Sequence, residues 1–159
     1  MKNFEKAIYM LRCLGFLTVS RACGWYSDTS DYDYCFSIEH FDFVKTKMKN
    51  LVDDDKIFLS DYNNGVKYIL DNKTINIIPV HPQNLQSWHH ATTALKAMYP
   101  TLQGLGKKEL HGFFEAIVGI SKSLCCYHVQ PGDVYNIGFS EIKCCNNVYD
   151  HIDSMLDVG

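Results

Sequence analysis

The sequence predicts an α+β domain: a small mixed β-sheet with helices packed on it, and a C-terminal half that is mostly helical. Three observations carry this. Apolar residues recur at helical spacing near the N-terminus and again after residue 40. Short runs rich in β-branched and aromatic residues alternate with turn residues as far as residue 80. Beyond Pro82 the apolar period is helical almost throughout. At 159 residues the chain fits one domain, with 1–80 as the sheet-bearing core, 81–128 as a helical part and 129–159 as a tail packed on the same domain.

The elements follow in order. Phe4, Ala7, Ile8 and Leu11 keep one face of a helix over Asn3–Leu14, which Asn3 can cap and Gly15 can stop. Residues 16–23 read as a strand, 24–30 as a turn, and 31–38 as a second strand with aromatic residues along it. Phe41, Val44, Met48 and Leu51 mark a helix over 40–52, and Asp53-Asp54-Asp55 reads as a solvated loop. Strands at 57–60 and Val66–Leu70 are joined through Asn63-Asn64-Gly65, a strong turn signal, and a further strand covers 74–80. Leu85, Trp88, Thr92 and Leu95 share a helix face that Pro100 is expected to end. Another helix spans about 107–126, and a last short one holds Val148, Ile152 and Met155.

Composition bounds the function. The 15 Lys plus Arg against 18 Asp plus Glu give a net charge of −3. The split is 10 basic and 11 acidic before residue 81, then 5 and 7 after it, so neither half is a basic arm. Binding of duplex DNA driven by counterion release is therefore not expected. No apolar run nears the roughly 20 residues of a membrane helix, and Glu5 and Arg12 interrupt the apolar positions of the N-terminus. The expected compartment is the cytoplasm, with no membrane partner. Seven cysteines without a secretory signal argue for reduced thiols. Cys125, Cys126 and His128 can be set against Cys144, Cys145 and His151 as a zinc site, but adjacent thiolates reach one ion poorly, so the reading is core cysteines and no zinc.

The chemistry is concentrated between Ala22 and Phe36. Asp31 and Asp33 lie two apart on a predicted strand, so both carboxylates project from one face. Two such groups can hold a hard divalent cation whose shell is completed by phosphate oxygens and water. The preceding turn offers Gly24, where a ligand can approach the backbone, and the hydroxyls of Ser27, Thr29 and Ser30. Trp25, Tyr26, Tyr32 and Tyr34 surround this stretch. Exposed members can stack on a base, while alternate ones, Tyr34 and Phe36 among them, are expected in the core. Arg21, Lys67, Lys107 and Lys108 are candidate phosphate counter-charges.

With these residues in place, residues 3–80 resemble the nucleotidyltransferase superfamily related to polymerase beta, in its small stand-alone form. There a strand ends in Gly-Ser, a loop follows, and the next strand carries Asp-x-Asp, often as Ser-Asp-x-Asp; a later apolar strand brings a third carboxylate. Gly24 and Ser30-Asp31-Tyr32-Asp33 match, and the strand holding Asn76 stands where the third acid is expected. The resemblance implies Asp31 and Asp33 as catalytic and metal-binding residues, Asn76 as a third, neutral metal ligand, and Gly24, Ser27 and Ser30 as nucleotide- or phosphate-binding. It implies magnesium-dependent transfer of a nucleoside monophosphate from a nucleoside triphosphate to a hydroxyl of a protein, RNA or small molecule. The alternative is a catalytically impaired module on the same fold, of the kind a phage or mobile element uses, that binds a nucleotide or inhibits a partner protein. Trp25 after Gly24, the short loop and Asn76 are this chain's departures from the pattern.

Overall fold

A computed structural model describes residues 1–124 and 148–157. The fold is α+β. Helix α1 (Asn3–Leu14) leads into β1 (Gly15–Leu17), a short helix α2 (Val19–Cys23) and β2 (Tyr32–Ser37). Helix α3 (Phe41–Leu51) precedes β3 (Ile57–Leu59), β4 (Val66–Leu70) and β5 (Lys73–Val80). Then come α4 (Pro82–Leu102), α5 (Lys107–Leu124) and α6 (Val148–Leu156). Among the described residues the five strands form one mixed sheet in the order β1-β2-β5-β4-β3, in which only β2 and β5 are parallel.

Strand alternation decides what each face of the sheet buries. Tyr34, Phe36, Ile75 and Ile77 point to one side, where Ala7, Met10 and Leu11 of α1, Val44 and Met48 of α3 and Ile152 of α6 complete a core. Cys35, Ile78 and Val80 point to the other, against Leu85, Trp88 and Leu95 of α4 and Leu110 and Phe114 of α5. Tyr34 and Phe36 are thus core residues, as the alternation predicts. Helix α6 is fixed to the first layer by Ile152, by a stacked Phe43–Tyr149 pair with centroids 4.1 Å apart, and by Lys47 against Asp153.

Three sequence expectations need correction. Asn3 does not cap α1: it is the first helical residue, and its amide donates to the Leu51 carbonyl (3.1 Å). The strand expected over 16–23 is two elements: β1 stops at Leu17 and α2 begins at Val19. The β-branched residues that suggested a longer strand, Thr18 and Val19, instead make the bend between them. Thr18 is fully buried; its N–H donates to the Asp33 carbonyl (2.8 Å) and its hydroxyl pairs with that of Thr92 on α4 (2.6 Å). Pro100 does not end α4, which continues to Leu102. It lies in the last turn, where a missing N–H and a local clash disturb little helix downstream. Pro82 sits at the start of the same helix, where its fixed φ helps.

Gly15 shows how tightly the sheet is built, because a Cβ there would overlap the Cys35 backbone carbonyl. Gly112, inside α5, faces nothing within 4 Å. Gly15→Ala is therefore expected to lower unfolding stability by about 3 kcal/mol through a clash with backbone that cannot turn aside. Gly112→Ala should raise it by about 0.5–1 kcal/mol through helix propensity. Urea unfolding of both variants tests the pair.

Candidate functional site

The parallel ladder of β2 and β5 sets Asp33 directly beside Asn76, and the antiparallel ladder of β5 and β4 sets Asn76 beside Lys67. Paired residues in adjacent strands share a face, so Asp33, Asn76 and Lys67 form a polar row across an otherwise apolar sheet. Asp31, two residues before Asp33, joins from the loop. The Asn76 amide nitrogen donates to Asp31 Oδ2 at 3.0 Å and to Asp33 Oδ1 at 2.8 Å. Two ionised carboxylates only accept hydrogen bonds, so the N–H side of the amide is the side that can meet both. Asn76 Oδ1 points elsewhere; it is buried and has no partner among the described residues.

These three side chains line an open pocket of about 450 Å³. Its opposite wall comes from α5, where Lys107 and His111 are one helical turn apart and so share a face. Tyr62, from the turn between β3 and β4, packs edge-on against His111 with centroids 6.1 Å apart. Burial pushes the Tyr62 hydroxyl up to about 12, with the charges of Glu115 and Asp33 acting in the same direction, so it stays a hydrogen-bond donor at neutral pH. Burial also raises the Asp33 carboxyl above its ordinary value. The Asn76 bond opposes this, Asp31 adds to it, and His111 and Lys107 oppose it.

The loop before β2 is held by Arg21. Its guanidinium lies 3.9 Å from the Tyr32 ring centroid and donates to the carbonyls of Ser30 (2.9 Å) and Ser27 (3.2 Å). Arg21, considered above as a phosphate counter-charge, is thus occupied in shaping the loop. Within the loop, the Ser30 hydroxyl accepts from the Ser27 N–H (3.0 Å). Ser27 and Ser30 both line the pocket, while Gly24 is not part of its lining. Glycine is needed there for another reason. Gly24 caps α2 at φ 108°, and a Cβ would press on the Tyr99 ring. Trp25 also lines the pocket while its indole N–H bonds the Leu102 carbonyl (3.1 Å) and its ring packs on Tyr99, and Tyr26 is the exposed aromatic beside it. Lys67 lies in the polar row and Lys108 is exposed on α5; neither lines the pocket.

Sequence reasoning did not assign to the site Val19, Ser20, Ser60, Tyr62 and His111, which the pocket lining includes. Val19 is a backbone outlier at φ 58°, a conformation that a β-branched residue adopts only under constraint, at a cost of about 1–3 kcal/mol. The constraint is visible: Thr18 is pinned on one side, and the Val19 side chain is buried in the second core. A left-handed residue followed by serine directly after β1 puts Val19-Ser20 at the strand end where the sequence pattern had suggested Gly24-Trp25. An extended strand over 16–23 hid this, because the signal lies in backbone conformation and not in residue type.

The donor set fits one hard cation. Asp31 and Asp33 are the number of protein carboxylates magnesium commonly takes, while Asn76 presents its amide nitrogen to them and not its oxygen. It does not fit a pair of cations, since the third position lacks a charge. Among the described residues no group of three or more His, Cys, Asp or Glu is placed to hold a metal. Cys13, Cys23 and Cys35 are buried thiols, and burial pushes Cys23 up to about 11. Cys125, Cys126, His128, Cys144 and Cys145 lie outside the described residues, while His151 on α6 is bonded to Tyr9.

No protein-family model matches the sequence, no curated protein matches it, and no solved structure matches the fold. Among the described residues no helix is long and apolar enough to cross a membrane.

The raised Asp33 carboxyl sets a pH dependence. Its folded form holds the proton to higher pH than the unfolded chain does, so its contribution to stability is fully present below the unfolded carboxylate range and is lost as pH rises through the folded value. Asp33→Asn is expected to raise the melting temperature at pH 7 and to leave it nearly unchanged at pH 3. Thermal melts across that range, with wild type beside the variant, measure the difference.

Proposed function

We propose that this protein is of the nucleotidyltransferase type. It binds a nucleoside triphosphate at the Asp31–Asp33 pocket with one magnesium ion, and transfers the nucleoside monophosphate to a hydroxyl of a protein, RNA or small molecule. The observation that carries the reading is the convergence of Asp31 and Asp33 with Asn76, 45 and 43 residues away in sequence, in a pocket that Lys107 and His111 of α5 also line. Acids on one wall and a lysine with a histidine on the other suit a polyphosphate chelating a cation. The ligand's negative charge then meets Lys107 and His111, and its metal meets the carboxylates.

The chain's own residues have definable tasks. Asp31 and Asp33 would hold the cation, which supplies Lewis-acid polarisation of a phosphoryl oxygen when bound. Lys107 neutralises charge that builds on the departing pyrophosphate as the bond from the α-phosphorus to it breaks. Ser20 and Ser30 present hydroxyls to phosphate oxygens, and Tyr26 offers a ring at the rim for a base to stack on. As the acceptor oxygen bonds to phosphorus, its proton leaves to water at the open side of the pocket, because Asn76 cannot accept it and Asp31 and Asp33 would be holding the cation.

A second reading, binding without turnover, is favoured by Asn76 itself, because a neutral amide supplies neither charge nor proton acceptance where transfer benefits from a third acid.

Nucleoside triphosphate with magnesium is expected to raise the melting temperature by several degrees, and Asp31→Asn to abolish the shift with the fold intact by circular dichroism. Lys107→Ala should weaken triphosphate binding about five- to tenfold and nucleoside binding hardly at all, as read by calorimetry. Incubation with α-labelled triphosphates, a panel of hydroxyl acceptors and total protein and RNA separates the two readings. Label on an acceptor supports transfer, whereas binding without label supports the module. Absence of any triphosphate shift removes both.

A further inference from the structure

The polar row contains a feature that neither nucleotide binding nor transfer requires. A neutral side chain sits between two carboxylates and spends both its N–H groups on them, while its own oxygen is buried without a partner among the described residues. Asparagine at this point could have turned its oxygen toward a cation and its nitrogen away. The arrangement is the reverse. The oxygens Asp31 Oδ2 and Asp33 Oδ1 are both engaged by one nitrogen.

We infer that Asn76 is a built-in competitor for the cation: its amide bridges Asp31 and Asp33 in the cation-free site, and a divalent ion binds only by breaking both hydrogen bonds. This rests on the nucleotide reading for the place of the cation, and adds how its entry is controlled. The physical argument is one of substitution. Two neighbouring carboxylates repel unless donors or a cation lie between them, and the amide supplies two donors from one rigid group. Its position is fixed by the sheet, since Asn76 is locked in register between Asp33 on β2 and Lys67 on β4 and cannot withdraw by moving its backbone. Hence the pair is assembled before any ligand arrives, and a bare ion gains little by entering. An ion carried in by a polyphosphate has a further source of binding energy, because Lys107 and His111 on the facing wall engage the phosphates. The consequence is a site that responds to the nucleotide–metal complex far more than to the free metal.

The experiment is titration with Mn²⁺ alone and with Mg²⁺ alone, by calorimetry, on wild type, Asn76→Ala and Asn76→Asp. Alanine removes the donors and leaves room for water, so it tests competition directly. Asn76→Asp replaces donors with a charge and serves as the positive control for ion binding. Asn76→Ala is expected to bind either ion at least about tenfold more tightly than wild type. The Asn76 side-chain amide signals, assigned by their loss in Asn76→Ala, should shift on addition of Mg²⁺ to wild type. Ion binding by wild type that is matched or exceeded by Asn76→Asp but equal or weaker in Asn76→Ala overturns the inference and leaves the nucleotide reading standing, for it makes Asn76 a ligand or a bystander. No ion binding by any of the three chains, Asn76→Asp included, overturns the inference together with the cation in that reading.

Discussion

The parallel pairing of β2 with β5 is the constraint on which the rest of the structure turns. It joins strands separated by some forty residues of chain, and among the described residues it is the only parallel ladder in the sheet. A parallel connection needs a crossover, and α3, β3 and β4 supply it. Because the register places Asp33 against Asn76, a slip of one residue would set Asp33 against an isoleucine and carry the polar row into the first core. The alternation that buries Ile75 and Ile77 on one face and Ile78 and Val80 on the other therefore also fixes the polar site. Core packing and site geometry are one decision.

The second face of the sheet is only partly roofed. Helices α4 and α5 cover Ile78 and Val80, and the polar row opens into the pocket whose far wall is the start of α5. This explains how acids persist next to an apolar core. They are desolvated enough for the Asp33 carboxyl to rise, yet they keep an open side and an amide between them. The strain at Val19 belongs to the same corner. Thr18 ties β1 to β2 through the Asp33 carbonyl and to α4 through Thr92, so the bend that lifts Ser20 into the pocket is set from two directions.

The site combines features of a working centre with one that works against it. Paired acids, a facing lysine and histidine and an aromatic rim suit a nucleotide and its metal. The amide between the acids makes the cation-free state stable in its own right. On the proposed reading, a site so arranged would discriminate between a free ion and an ion already bound to phosphate, whether or not chemistry follows.

Much of this was legible in the sequence. Period-two and period-3.6 patterns determined the strands and long helices, because burial on one face leaves a direct trace in residue order. Asp31 and Asp33 were legible as a pair for the same reason: residues two apart on a strand share a side. The place of Asn76 was legible only through a resemblance, and its bond to both carboxylates only through register, which no local pattern encodes. The tertiary structure alone decided three things. Residues 18–19 bend instead of extending, because Thr18 is held by Asp33 and Thr92 from elsewhere in the chain. Gly24 serves a helix cap and the Tyr99 ring, because α4 passes beside it. Tyr62 and His111 join the acids, because α5 returns across the open end of the sheet. Each depends on contacts between residues far apart in sequence, where composition and spacing carry no signal.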